Sequence, residues 1–268
     1  MAWVDGPNCG TSGHESPGYL AGGSILWRRQ SELKITSQEY RVFFDPMYFL
    51  IIAPAVVLGL WAQWRVHANF RAASEIPARL SGAAAARHVL DSAGLQHVGI
   101  EQVPGQLSDH YDPRHKVLRL SEGVYGARTL AAVGIAAHEA GHAIQDAKNY
   151  LPLMVRSAAV PAANFGSKIS FLLIIAGAIF SWQPLIIAGI VAFGCVVFFQ
   201  VVNLPVEFDA SARAKHELVG LGIVDAQGMV YVNKVLGAAA WTYVAATLQS
   251  VLTLLYYIIR FTGGSRDD

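Results

Sequence analysis

Long apolar stretches constrain this 268-residue chain more than anything else in it. Met47–Trp64 and Leu185–Val202 each run 18 residues without a charged side chain, and Ala238–Ile259 runs 22. A hydrocarbon core about 30 Å thick takes roughly 20 helical residues to cross, and inside it only helices or closed barrels satisfy every backbone N–H and C=O. These three stretches are therefore expected to be membrane-spanning helices, the last with Trp241, Tyr256 and Tyr257 near its ends, where amphipathic rings favour the interface. Ile169–Trp182 is uncharged for only 14 residues. It spans if Val160–Ser167 extends it and Lys168 snorkels or faces protein, with Ser181-Trp-Gln-Pro184 as a tight turn into the next span. Composition agrees, since 53% of the residues are hydrophobic and 15% charged, against roughly 25% charged in soluble domains.

If the second and third spans form a hairpin, regions 65–168 and 203–237 lie on one side of the membrane. Those regions hold 11 and 3 of the 20 Lys and Arg residues, which by the positive-inside rule makes that side cytoplasmic. The two cysteines, Cys9 and Cys195, imply no disulfide framework and suit a reducing compartment. Basic residues are scattered and lack an aromatic platform, so no nucleic-acid partner is expected.

The first of those regions contains His138-Glu-Ala-Gly-His142, a HExxH pentapeptide. Thr129–Ala137 before it is apolar and rich in helix formers, and Ile144 and Ala147 continue the pattern, so the motif is expected on a helix. Residues i and i+4 share a helix face, so His138 and His142 can offer two imidazole nitrogens to one tetrahedral zinc ion. Glu139, about 100° around the same turn, can act as the general base toward a water molecule while staying off the metal.

Upstream, Ser81 is a suitable N-cap for a helix through Ala83–Ser92, with Gly94 as its stop. His97–Val103 and His115–Leu120 read as short strands joined through Pro104-Gly105 and the polar run Ser108–Arg114. They form either an ordinary hairpin covering the zinc helix or an edge that holds extended peptide by main-chain hydrogen bonds.

A zinc enzyme needs a third protein ligand and one open position. Asn203–Arg213 is expected to open a new helix, with Asn203 as cap, Pro205 in the first turn and Gly220 beyond the end. Glu207 on that helix is the best third ligand, ahead of His110, His115 and His216. Ser211, at i+4 from Glu207, is placed to support it or a zinc histidine, and Asp209 is the weaker candidate for that role because two residues rotate it about 200° away. Tyr111, Arg213 and His216 are candidate donors to the developing oxyanion, and nothing in the spacing selects among them.

His138–His142, Asp109-His-Tyr-Asp-Pro113 followed by Val117-Leu-Arg-Leu-Ser121, and Leu204–Ser211 together resemble the YugP-like membrane zinc metallopeptidases over about Val42–Phe261. The resemblance implies a neutral zinc peptidase embedded in a bacterial membrane. More distantly the chain is similar to the HtpX-type membrane peptidases, in which a Glu on a later helix completes the zinc site; the Asp that commonly follows that Glu by four residues is Ser211 here.

The chain as a whole is thus expected to be mainly α and integral to the membrane, about four transmembrane helices carrying a cytoplasmic zincin-like α+β metallopeptidase domain. Its expected divisions are an N-terminal extension over 1–41, spans over 42–64, 160–202 and 238–260, a zinc-peptidase region over 65–159, a helical region over 203–237 carrying the third ligand, and a tail over 261–268. Residues 1–41 lack periodicity and a signal-peptide core, and read as disordered or as a mispredicted extension with the natural start near Val42. The expected activity is zinc-dependent endoproteolysis at the cytoplasmic face of the plasma membrane, with the lipid bilayer and unfolded or membrane-derived polypeptides as partners. Intramembrane proteolysis of the site-two type is the alternative, although Leu130–Ala137 is too short to span. The remaining alternative is a non-enzymatic membrane scaffold with a closed structural zinc site.

Overall fold

The computed structural model describes residues 45–262; the expectations for 1–41 and for most of the tail lie outside the described residues. Helix α1 (Pro46–Ser74) starts where the Asp45 carboxylate accepts the Met47 N–H at 2.9 Å and Pro46 occupies the first turn. It runs on past Trp64, the end of the uncharged stretch, to Ser74. The chain closes with three more long helices, α5 (Leu151–Ile179), α6 (Gln183–Gly220) and α7 (Ala226–Thr262). Among the described residues, these four are the helices long and apolar enough to cross a membrane. Their outer faces expose Leu50, Leu60, Phe171 and Val191, side chains that water would not favour and lipid does.

Helices α5 and α6 form the expected hairpin. Ser181 turns the chain at φ 50°, and the Trp182 N–H donates to the Gly177 carbonyl at 2.8 Å. The backbones meet at Gly166, where a Cβ would lie 2.5 Å from the Ala192 carbonyl oxygen. Lys168 sits on the exposed face of α5 and not against protein.

No helix begins at Asn203. Helix α6 passes through that point unbroken for 38 residues, with Asn203 buried in its interior and Gly220 as its last residue. Pro205 removes one intrahelical hydrogen bond. The loss is outweighed by the stripe Val206, Ala210, Ala214 and Leu218, all fully buried at i, i+4 spacing, which holds the helix on course. One rigid rod therefore carries both an apolar span and Glu207.

The segment between α1 and α5 is α2 (Gly82–Ser92), strands β1 (Gly99–Val103), β2 (His110–Asp112) and β3 (Val117–Ser121), α3 (Glu122–Tyr125) and α4 (Leu130–Ala147). Ser81 Oγ accepts the Ala84 N–H and Gly94 ends α2 at φ 75°, as the sequence suggests. The strands depart from a simple hairpin. β1 pairs with β3 in parallel, Gly99 opposite Val117, and the polar run supplies a third strand, β2, antiparallel to β3 with Tyr111 opposite Leu118. Asp112 accounts for the difference: its Oδ1 accepts the Arg114 and His115 N–H groups, and Lys116 at φ 53° completes a tight turn that folds β2 back on β3. β3, buried along most of its length, is then the central strand.

Helix α4 is the centre of the core. Thr129 caps it by accepting the Ala132 N–H, and Ala136, Ala137 and Ala140 are fully buried on different sides of it. Leu90, Leu118, Val133, Leu218 and Val232 meet around it, each contributing about 1.5–3 kcal/mol through burial. Gly141 lets α4 and α6 touch through their backbones, since a Cβ there would lie 2.5 Å from the Ala210 carbonyl oxygen. Gly141→Ala is expected to destabilise the protein by about 1–3 kcal/mol, read as a lower Tm in detergent. An unchanged Tm would mean that the two helices are free to separate.

Candidate metal centre

His138 and His142 stand one turn apart on α4 with ring centroids 4.8 Å apart and the rings edge to face. Glu207 comes to them from α6. His138 Nε2 lies 3.2 Å and His142 Nε2 3.6 Å from the same carboxylate oxygen, Oε2. One ligand atom from each residue falls within 4.8 Å of the others. A tetrahedron with metal–ligand bonds of about 2.0–2.1 Å has edges of about 3.3–3.4 Å, close to the two separations from Glu207 to the histidines. Two imidazoles and one carboxylate are also a donor set zinc takes, with a fourth corner left for water or substrate.

Each histidine is oriented through its other nitrogen. His138 Nδ1 lies 3.1 Å from Ser211 Oγ, one turn beyond Glu207 on α6. His142 Nδ1 lies 3.0 Å from Gln145 Oε1, and the Gln145 amide nitrogen donates to the Val206 carbonyl and to Asp209 Oδ2, both at 2.8 Å. Gln145 is fully buried and both its N–H groups are spent, so its oxygen must accept from His142. That makes Nδ1 the protonated nitrogen and leaves a lone pair on Nε2, the atom facing Glu207. Asp209 is itself held by Arg213 Nε at 2.6 Å.

The second oxygen of Glu207 is occupied as well. Arg156 Nη1 on α5 donates to Oε1 at 3.2 Å, which reserves Oε2 for the histidines. Glu139, buried beside His138, does not join the cluster of ligand atoms. Burial pushes its carboxyl up to about 7; His138 opposes this, and the charges of Glu207 and Asp109 add to it. A carboxyl so placed accepts and returns a proton readily near neutrality.

These groups open into a cavity of about 270 Å³. His138, Glu139 and Glu207 line it together with Phe70 of α1, Asp109 from the loop before β2, and Tyr243 of α7. His142 is not part of its lining, so the approach is from the side of His138 and Glu139. Asp109 fixes that loop by accepting from the Ser121 N–H at 2.8 Å and from its hydroxyl.

The structure brings His138, Glu139, His142, Glu207 and Ser211 together, and Asp209 behind them. Tyr111, Arg213 and His216 do not reach the cavity. The Tyr111 hydroxyl donates to Asp146 at 2.7 Å, and burial together with that carboxylate raises its phenol above the ordinary range. Arg213 is committed to Asp209, and His216 is exposed beside Glu217. His110 and His115 are exposed, bonded to the Ser108 carbonyl and to Asp112, which His115 and Arg119 hold well below the usual carboxylate range. Reading the sequence missed Gln145, Arg156 and Tyr243. Gln145 was within reach of a spacing argument, being i+3 from His142, and Arg156 carried a signal as a cation inside an apolar helix. Tyr243 carried none.

Long apolar helices around two imidazoles, a carboxylate as candidate third ligand and a buried neighbouring Glu define a membrane protein with a candidate hydrolytic metal centre. The chain belongs to the family described as "Putative neutral zinc metallopeptidase", which matches residues 48–262. It is 45% identical over 222 residues to "Putative membrane protease YugP" of Bacillus subtilis (strain 168), covering 82% of this chain and 98% of that protein. No solved structure matches it. A YugP-like membrane protein with zinc-protease relatives is what these likenesses support.

Gln145→Leu removes the acceptor that sets the His142 tautomer. It is expected to lower zinc affinity about 10–100-fold in a chelator competition, with Tm less affected than by Gly141→Ala. Wild-type affinity in that variant would show that His142 needs no such partner.

Proposed function

We propose that the protein is a membrane-integral zinc endopeptidase, with His138, His142 and Glu207 as the metal ligands and Glu139 as the general base. The observation that carries this reading is the convergence of the three ligand atoms within 4.8 Å, with Glu139 in the same cavity. When bound, zinc supplies Lewis acidity: it makes water a nucleophile at neutral pH and polarises a carbonyl oxygen. The residues do the rest. Glu139 accepts the proton of the attacking water at its carboxylate and passes it to the leaving amine. Ser211 and Gln145 hold the imidazoles in register, and Arg156 holds the carboxylate of Glu207.

The outer edge of β2 supports a polypeptide substrate. It is one of the two edge strands of the sheet, and the loop that leads into it lines the cavity through Leu107 and Asp109. An extended chain can add to such an edge through main-chain hydrogen bonds, which suits unfolded or membrane-derived polypeptides of varied sequence. The 14 Lys and Arg residues in 65–168 and 203–237 (11 and 3) favour a cytoplasmic active site, at the plasma membrane of a bacterium like that of the YugP relative.

Glu139→Gln keeps the shape of the base and removes its proton affinity. In detergent-solubilised protein it is expected to bind one zinc as tightly as wild type while cleaving unfolded casein at least about a hundredfold more slowly. Cleavage at the wild-type rate by the zinc-loaded variant would overturn the mechanism.

A further inference from the structure

We propose that Tyr243 is a catalytic residue, its phenolic O–H donating a hydrogen bond to the oxyanion that forms when water attacks the scissile carbonyl. The inference rests on the endopeptidase reading above and names the donor which that reading leaves unassigned.

Helix α7 presents Leu236, Ala239, Ala240 and Tyr243 to the cavity, a stripe at i, i+3, i+4 and i+7 spacing. Two alanines keep that face of the helix small, and the next residue on the stripe adds a ring carrying a donor to the lining. Tyr243 shares this lining with His138, Glu139 and Glu207, and its ring is set among the charges of Glu207, Glu139 and Arg156. It therefore stands in the same cavity as the proposed third ligand and the proposed base.

The other donors lining the cavity have other commitments. Ser211 Oγ serves His138, Thr242 Oγ1 turns back to the Ala239 carbonyl at 2.6 Å, and Gln63 is exposed and pairs with His67. Tyr243 is the described hydroxyl donor that is left, and it shares the cavity with His138, Glu139 and Glu207, so its O–H can turn to a substrate carbonyl held there.

In the step itself the water oxygen bonds to the carbonyl carbon, the π pair moves onto the carbonyl oxygen, and Glu139 takes the water proton. Tyr243 keeps its own proton and shares it in a hydrogen bond with the oxyanion. On collapse the pair returns to form the acid carbonyl, the C–N bond breaks, and the amine receives the proton from Glu139. The donor strengthens its contact as charge develops, so its loss is felt in kcat and little in KM.

Tyr243→Phe in detergent-solubilised full-length protein is the test. Expected are a fall in kcat of about 10²–10³-fold, KM within about twofold of wild type, an unchanged zinc content, and a parallel loss of affinity for a phosphinic peptide, whose tetrahedral anionic centre mimics the oxyanion. A kcat close to wild type overturns the proposal. So does loss of zinc in step with activity, which would make Tyr243 a holder of Glu207. Should the Phe variant fail to fold, 3-fluorotyrosine at position 243 keeps the shape and alters the donor: a change in kcat at constant KM and zinc content is expected, and no change overturns the assignment. Wild-type protein that shows no zinc-dependent cleavage at all overturns the endopeptidase reading and this proposal with it; an active wild type, an inactive Glu139→Gln and a fully active Tyr243→Phe overturn this proposal alone.

Discussion

The contact between α4 and α6 at Gly141 is the constraint on which the site depends. Two helices with ordinary side chains between them sit 8–10 Å apart, and close approach requires a residue without a Cβ. Gly141 provides it, bringing the Ala210 carbonyl to within 2.5 Å of where a Cβ would stand. Glu207 lies one turn before Ala210 and His142 one residue after Gly141, so the backbone contact sets the distance from carboxylate to imidazole directly. Gln145 then ties the same two helices together through Val206 and Asp209. Separations of 3.2 and 3.6 Å between ligand atoms would not survive a displacement of 1 Å, and neither would a catalytic geometry built on them.

Helices α5 and α6 each carry a charged residue that their apolar character makes costly. Arg156 and Glu207 solve the problem for one another: on helices apolar enough to span a membrane, the two groups meet at 3.2 Å. The pairing has a chemical consequence beyond stability. A carboxylate with one oxygen held by a guanidinium presents the other in a fixed direction, so the ion pair that makes Glu207 tolerable in its helix also chooses which of its atoms faces the histidines.

Local features were legible in the sequence and long-range register was not. The HExxH helix, the α5–α6 turn at Ser181 and the Ser81 cap each depend on residues within one or two turns, and each is where pattern and capping place it. Ser211 was placed beside Glu207 by i, i+4 spacing once a helix is assumed, and Glu207 itself was picked out by the hairpin topology that sets 203–237 on the same side as 65–168. The proline at 205 misled the same reasoning, because its intrinsic cost is local and the burial of Val206, Ala210, Ala214 and Leu218 that outweighs it is not. β2 was hidden in a run of polar residues for a related reason, since the Asp112 turn and the pairing with β3 make a strand of residues with little strand propensity. Tyr243 lies 104 residues from Glu139 on a helix that reads as a span, and only the packing of α7 against α4 reveals what it faces.

That packing also bears on whether a peptidase region can be separated from the membrane helices. Residues 65–159 hold His138, Glu139, His142 and Arg156, but Glu207, Ser211 and Tyr243 come from α6 and α7. The core is shared in the same way: Ala136, Ala140 and Val133 of α4 belong to one buried cluster with Leu218, Val232, Val235 and Leu236. Cut away from α6 and α7, α4 would expose alanine faces too small to recruit other cover, and two histidines with no carboxylate between them. The described residues 45–262 accordingly form a single compact unit. The loop before β2 contributes Leu107 and Asp109 to the cavity wall, while the long apolar helices also carry Glu207 and Tyr243. A site assembled this way shares its walls with the helices apolar enough to span, so it cannot be cut free of them without losing Glu207 and Tyr243.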